Sequence, residues 1–149
     1  MRIKKKSLSM NNVICITGEM EGNEWVDLAR DLRDLVISHG LYPTGPLVYQ
    51  REEGDNDKSI YRFYMPVNNP IILKDDKLDR EVTFLTELYS KEGLVIRHAE
   101  PEEGFESDYI MLESCAAANK LKLKKPYYHI CMNMYGEQIV DVFAPLQEV

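Results

Sequence analysis

The sequence predicts an α+β fold. It reads as a tandem β-α-β-β repeat, with an antiparallel sheet, two helices on one face and pseudo-twofold symmetry. Two observations carry this. The segments Pro46–Val67 and Pro126–Leu146 each open on proline, turn through a polar loop and return in a strand ending aromatic-x-Pro-aliphatic; the proline-to-proline spacing is 20 in one and 19 in the other. A helical apolar period and a short apolar strand precede each hairpin.

Taken in order, residues 1–10 (MRIKKKSLSM) read as a flexible basic tail. No apolar stretch follows the lysines, so they do not form a secretory signal. The first unit spans 11–67 and opens on the strand Val13–Ile16. Glu24–His39 then places Trp25, Leu28, Ala29, Leu32, Leu35 and Val36 at helical spacings, with Asp27, Arg30, Asp31, Arg33 and Asp34 on the other face. Asn23 suits the N-cap and Gly40 the C-terminal stop. The connection, 68–93, holds loops at Asn68–Pro70 and Lys74–Lys77. Val82–Tyr89 suits an extended strand, with a short helix capped by Asp79 as the alternative. The second unit, 94–149, repeats the order: strand Leu94–His98, helix Asp108–Asn119 capped by Ser107, then the second hairpin. The whole of 1–149 reads as a single domain.

Alternation assigns faces in the second hairpin. Tyr128, Ile130, Met132, Val140, Val142 and Ala144 form an apolar set that should pack under the helices. Even positions must then pair with even, which requires the odd loop Tyr135-Gly136-Glu137. In that register His129 lies opposite Phe143 and Cys131 opposite Asp141. Tyr127, His129, Cys131, Asn133, Asp141 and Phe143 would share the other face. Such a mixed aromatic and ionisable face is usual for a ligand surface, and usual also for the solvated side of an antiparallel sheet.

The bulk properties exclude several functions. A net charge of −7 repels nucleic acid on average. The lysines at 120, 122, 124 and 125 sit where a helix ends and complement its dipole. No apolar run approaches the roughly 20 residues of a membrane span, and without an export signal a cytoplasmic protein with reduced thiols is expected. Three histidines and three cysteines show no metal-ligand spacing, and no phosphate-cradling glycine loop is present, so neither metal nor cofactor is expected. Cys131 and His129 are two apart on a strand, about 6.5–7 Å between Cα atoms, too far for a nucleophile and its base. No catalytic residue is assigned.

Together these residues resemble the GyrI-like (gyrase-inhibitor-like) small-molecule-binding domains, related to the SOUL haem-binding proteins. The likeness covers nearly the whole chain after Met10. It is carried by Pro126-Tyr127-Tyr128-His129-Ile130-Cys131, by Asp141-Val142-Phe143-Ala144-Pro145, by Gly45-Pro46-Leu47-Val48-Tyr49 and by His98. The resemblance implies a groove between the two units. It also implies a glutamate there that meets cationic ligands, and His129 stands in the place of that residue. Imidazole is neutral or positive near neutral pH, which points to a neutral or anionic ligand.

The expected function is a stand-alone effector-binding protein. Its groove would be walled by Tyr49, Arg62, Tyr64, Tyr127, His129, Asp141 and Phe143, and Tyr49 and His129 would lie close together. The alternative is a non-catalytic protein-interaction module with a degenerate groove, its acidic surface facing a basic partner; hydrolysis is a third reading. The expected partner is a small organic ligand or another protein, with a homodimer left open, and neither nucleic acid nor membrane.

Overall fold

The computed structural model describes residues 3–21, 24–54, 57–71, 81–98, 104–134 and 136–147. Among them run β1 (Ile3–Met20), α1 (Trp25–Ser38), β2 (Leu47–Glu53), β3 (Ser59–Pro66), β4 (Glu81–Arg97), α2 (Glu106–Ala118), β5 (Tyr128–Met134) and β6 (Glu137–Pro145). The fold is α+β as expected, and the strand ladders within each unit are antiparallel. No described helix is long and apolar enough to cross a membrane. The chain divides into two compact units: Ser9–Leu88 is the first, and Met1–Leu8 with Tyr89–Val149 is the second.

In the first unit β3 lies between β1 and β2, in register from Val13↔Pro66 to Met20↔Ser59 and from Val48↔Tyr64 to Glu53↔Ser59. The apolar period of α1 puts Leu28, Leu32, Leu35 and Val36 on one stripe, which packs with Ile14, Ile16, Met20 and Phe63. The helix closes on Gly40: its N–H donates to the Ile37 carbonyl at 3.0 Å, and the Leu41 N–H donates to the Val36 carbonyl at 3.1 Å. This closure needs positive φ, and Gly40 supplies 70°.

The second unit repeats the design with β6 between β4 and β5. Leu112 and Ala116 of α2 pack with Leu94, Ile96, Val142 and Ala144. α2 closes as α1 does, Lys120 N–H to Ala117 and Leu121 N–H to Ala116, but the left-handed position is a lysine with φ 56°. Smaller contacts match too. Thr44 N–H donates to Pro66 O and Lys124 N–H to Pro145 O; Val67 N–H donates to Asn12 O and Leu146 N–H to Glu92 O. The proline-marked hairpins are equivalent parts of two related units.

Three local expectations are corrected. Residues 3–10 belong to β1 and are no tail, because Leu8 and Met10 alternate with serines and are buried. Val82–Tyr89 is extended as expected, but its strand, β4, runs unbroken from Glu81 to Arg97, so the second unit's first strand does not start afresh at Leu94; Lys74–Lys77 lies outside the described residues. α2 begins at Glu106, which puts Ser107 inside the first turn, with Phe105 at the cap. The expected α1 cap, Asn23, is also outside the described residues.

The largest correction concerns the second hairpin. Its ladder runs from Tyr128↔Phe143 through His129↔Val142 and Ile130↔Asp141 to Met134↔Glu137, so the loop has two residues, 135 and 136, with Gly136 at φ 82°. Odd positions of β5 therefore share a face with even positions of β6. Tyr127 and His129 lie on the α2 side with Val142, while Tyr128, Ile130, Asp141 and Phe143 take the opposite face. The three-residue loop was expected because polar side chains were kept out of the core. Here α2 itself supplies their hydrogen-bond partners.

Candidate functional site

Each unit has a strand face under its helix and a face turned away from it, and the expected site residues divide between the two. Tyr49 lies on the α1 side, its ring 5.5 Å from that of Phe63 and 6.3 Å from that of Tyr61. Arg62 and Tyr64 lie on the opposite face. Tyr127 and His129 lie on the α2 side, and Asp141 and Phe143 on the face away from it. Tyr49 and His129 do occupy equivalent places, but each faces its own helix. The seven residues therefore do not form one surface.

The helix-free face of the first unit is built by alternate residues of three strands: Val13, Cys15 and Thr17 of β1, Val48, Gln50 and Glu52 of β2, and Arg62 and Tyr64 of β3. Val13 and Val48 are fully buried, and Gln50 and Tyr64 are each 7% exposed. The Tyr64 hydroxyl donates to Gln50 Oε1 at 2.6 Å. Arg62 pairs with Glu52 at 3.2 Å. Burial pushes the Cys15 thiol up from its ordinary range, against hydrogen bonds to Thr17 and Thr83 that lower it, so it stays protonated. Aromatic, amide and paired charges converge here on an apolar floor.

The helix-free face of the second unit carries Val95, Arg97, Tyr128, Ile130, Asp141 and Phe143. Arg97 grips Asp141 with two nitrogens, Nε at 2.9 Å and Nη2 at 3.3 Å. Tyr128 meets Phe143 edge to face, with centroids 6.2 Å apart. The Phe143 ring covers Gly93, where a Cβ would also stand 2.8 Å from the Ala144 carbonyl. Glycine is required there by close approach.

Beneath α2 lies a second polar group. His129 Nε2 meets the Tyr109 hydroxyl at 2.5 Å, and His98 Nδ1 meets Asp108 Oδ2 at 2.5 Å. Phe105 sits against both imidazoles, with centroids 4.6 and 4.9 Å away. The Tyr127 hydroxyl donates to Glu113 Oε1 at 3.2 Å; burial, with the Glu113 charge behind it, pushes the phenol up to about 12. Burial pushes the Cys131 thiol up to about 11, which keeps it protonated near neutral pH. Among the described residues no group of three or more potential ligands could hold a metal.

Sequence reasoning missed Gln50, Glu52, Arg97 and Asp108. The first three follow from face parity once the register is known. Asp108 carried a misleading signal: it stands on the apolar stripe of α2, two turns before Ala116, where the period asks for a leucine.

A family model, Domain of unknown function (DUF5085), matches residues 8–147. The chain belongs to this family. No curated protein matches it. Among solved structures, DUF5085 as seen here is similar to the C-terminal domain of EcmrR, with TM-score 0.68, 13% identity and all of both chains covered. It is also similar to EcmrR in an EcmrR-DNA complex (TM-score 0.67, 12% identity), where 99% of this chain is covered and it spans only 58% of that longer chain. A hydrolase from Listeria innocua gives TM-score 0.65 at 10% identity, covering 97% of this chain and 92% of its own. SAV2435, whose structure is bound to tetraphenylphosphonium, gives TM-score 0.56 at 10% identity, covering 99% and 94%. EcmrR's C-terminal domain and SAV2435 have the GyrI-like fold that the hairpin residues resembled.

Proposed function

We propose that this DUF5085 chain binds a small organic molecule on the strand faces turned away from its helices. The carrying observation is the first unit's helix-free face, where Tyr64 and Gln50 are buried and bonded to each other above Val13 and Val48. Buried polar groups fixed by hydrogen bonds, beside aromatic and apolar walls, are the usual composition of a ligand site. SAV2435 with its bound tetraphenylphosphonium and the EcmrR C-terminal domain support this reading through their shared fold. Of the residues expected to line the site, Arg62 and Tyr64 stand on the first unit's face with Gln50, and Asp141 and Phe143 on the second unit's face with Tyr128 and Ile130. Tyr49, Tyr127 and His129 act from below, through packing and hydrogen bonds on the helix sides.

The test is thermal-shift screening of a small aromatic library against wild type and Tyr64→Ala, with native mass spectrometry of protein taken from its own host. A retained or stabilising small molecule whose effect Tyr64→Ala removes is the expected result. A second reading, an interaction module, draws on α2. There Ile110 and Met111 are exposed, at 62% and 36%, where α1 carries Arg30 and Asp31. A co-purifying protein released by Ile110→Glu, with no small molecule retained, would favour it.

A further inference from the structure

Strand β5 has two faces that can each meet a helix. Its even residues Tyr128, Ile130 and Met132 are aromatic or apolar, while the odd residues beside them, Tyr127, His129 and Cys131, carry a phenol, an imidazole and a thiol. Apolar burial by itself places the even set beneath α2. The observed ladder, with Ile130↔Asp141 and Cys131↔Val140, places the odd set there instead. Tyr127 and His129 are buried, and Ile130 and Met132 stand half-buried on the face away from the helix.

The contacts that hold the odd set come from one row of side chains. Phe105, at the cap of α2, and Tyr109 and Glu113 within it recur every four residues and so share one side of the helix. The Phe105 ring centroid lies 4.9 Å from that of His129, and the Tyr109 hydroxyl meets His129 Nε2 at 2.5 Å. The Tyr109 ring centroid lies 5.5 Å from that of Tyr127, whose hydroxyl donates to Glu113 Oε1 at 3.2 Å. A phenol or an imidazole is tolerated in a core where its partner is present and costly where it is not. Ile130 and Met132 offer the same row little to bond.

From this we infer that the second hairpin has two registers, and that the row on α2 selects the observed one. In the other register the loop has three residues rather than two, Cys131 stands across from Asp141 and Ile130 across from Val142. Side chains alternate along a strand, so β5 exchanges its faces as a whole: Tyr128, Ile130 and Met132 turn to the helix, and His129 and Cys131 move to the face away from it. β6 keeps its faces. The native Cys131 reports the register directly. Residues paired across a ladder have Cα atoms about 4.5–5.5 Å apart, within reach of a disulfide, whereas the next residue along points to the opposite face. Val140→Cys therefore traps the observed register, and Asp141→Cys traps the other. The experiment is mild oxidation of the full chain, with crosslinks assigned by peptide mapping in a mass spectrometer. Val140→Cys should crosslink to Cys131 almost completely, and Asp141→Cys at less than about a tenth of that level. Adding Tyr109→Phe and Glu113→Ala to each should raise the crosslink of Asp141→Cys at least about fivefold and lower that of Val140→Cys. Each comparison is made within one cysteine background, so the loss of the Asp141 carboxylate cancels. Tyr109→Phe alone keeps the ring and should shift the crosslinks less, in the same direction; it is the variant to read where the double change abolishes cooperative unfolding. If Val140→Cys still crosslinks in full and Asp141→Cys gains nothing, the row on α2 does not select the register and the inference is overturned.

Discussion

Beneath α1 the first unit is apolar: Gly18 on β1, Leu28 and Ala29 on the helix, Tyr49 on β2. Beneath α2 the equivalent places hold His98, Asp108, Tyr109 and His129, joined in two short hydrogen bonds. The backbone closures, ladders and helix ends agree between the units, so the fold does not require the polar set. Among the described residues, His98 Nε2 is buried with no hydrogen-bond partner, a cost that the first unit avoids by having no side chain at Gly18. One architecture thus tolerates either a cheap core or a specified one.

The sharpest way to break this comparison is Asp108→Ala. It leaves His98 buried without its carboxylate and should cost about 3–5 kcal/mol in chemical denaturation. Replacing both, His98→Leu with Asp108→Leu, copies the apolar character of the first unit and should recover most of that loss. A double variant as unstable as the single one would show that the pair is structurally required after all.

A smaller effect is expected at Gly93. Gly93→Ala drives a Cβ into the Phe143 ring and the Ala144 carbonyl, an overpacking worth about 1–3 kcal/mol. In the first unit the corresponding residue is Val13, and Tyr64 rather than Phe143 lies across from its neighbour. Gly93→Ala combined with Phe143→Leu should therefore melt higher than Gly93→Ala alone.

Raised acids make both units sensitive to high pH, Cys15 in the first and Cys131 with Tyr127 in the second. Burial holds Cys131 protonated up to about 11 and Tyr127 up to about 12, against ordinary values of 9.0 and 10.0. The unfolded chain loses these protons first. Their contribution is therefore complete below pH 9 and is lost as pH rises through 9 to 12. A melting-temperature profile over that window should fall, and Cys131→Ala with Tyr127→Phe should flatten it; an unchanged slope would remove these groups as its cause.

The smallest change is at the helix ends. Lys120→Gly relieves a left-handed side chain at φ 56° and should stabilise by about 1 kcal/mol, whereas Gly40→Ala should destabilise by a similar amount. Equal and opposite melting shifts would confirm that the two closures are the same motif.

Much of this architecture was legible in residue order. Proline punctuation located both hairpins, the spacing of Leu28, Leu32 and Val36 located α1, and Gly40 marked its end. These signals are local, and local chemistry reads them directly. The candidate site was less legible. Arg62, Tyr64, Asp141 and Phe143 lie on the faces away from the helices, but His129 and Tyr127 were assigned to the wrong face because an imidazole and a phenol look out of place in a core.

What the sequence determined by itself is the repeat, the α+β class and the alternation of each strand. What only the tertiary structure decided is which alternation class faces which helix. A loop of two residues rather than three inverts one strand of the second hairpin relative to the other. The choice depends on partners that are distant in sequence: Tyr109 for His129, Glu113 for Tyr127, and Arg97 for Asp141. A buried polar group costs what its hydrogen bonds fail to return, and only the folded chain shows which partners are present to make them.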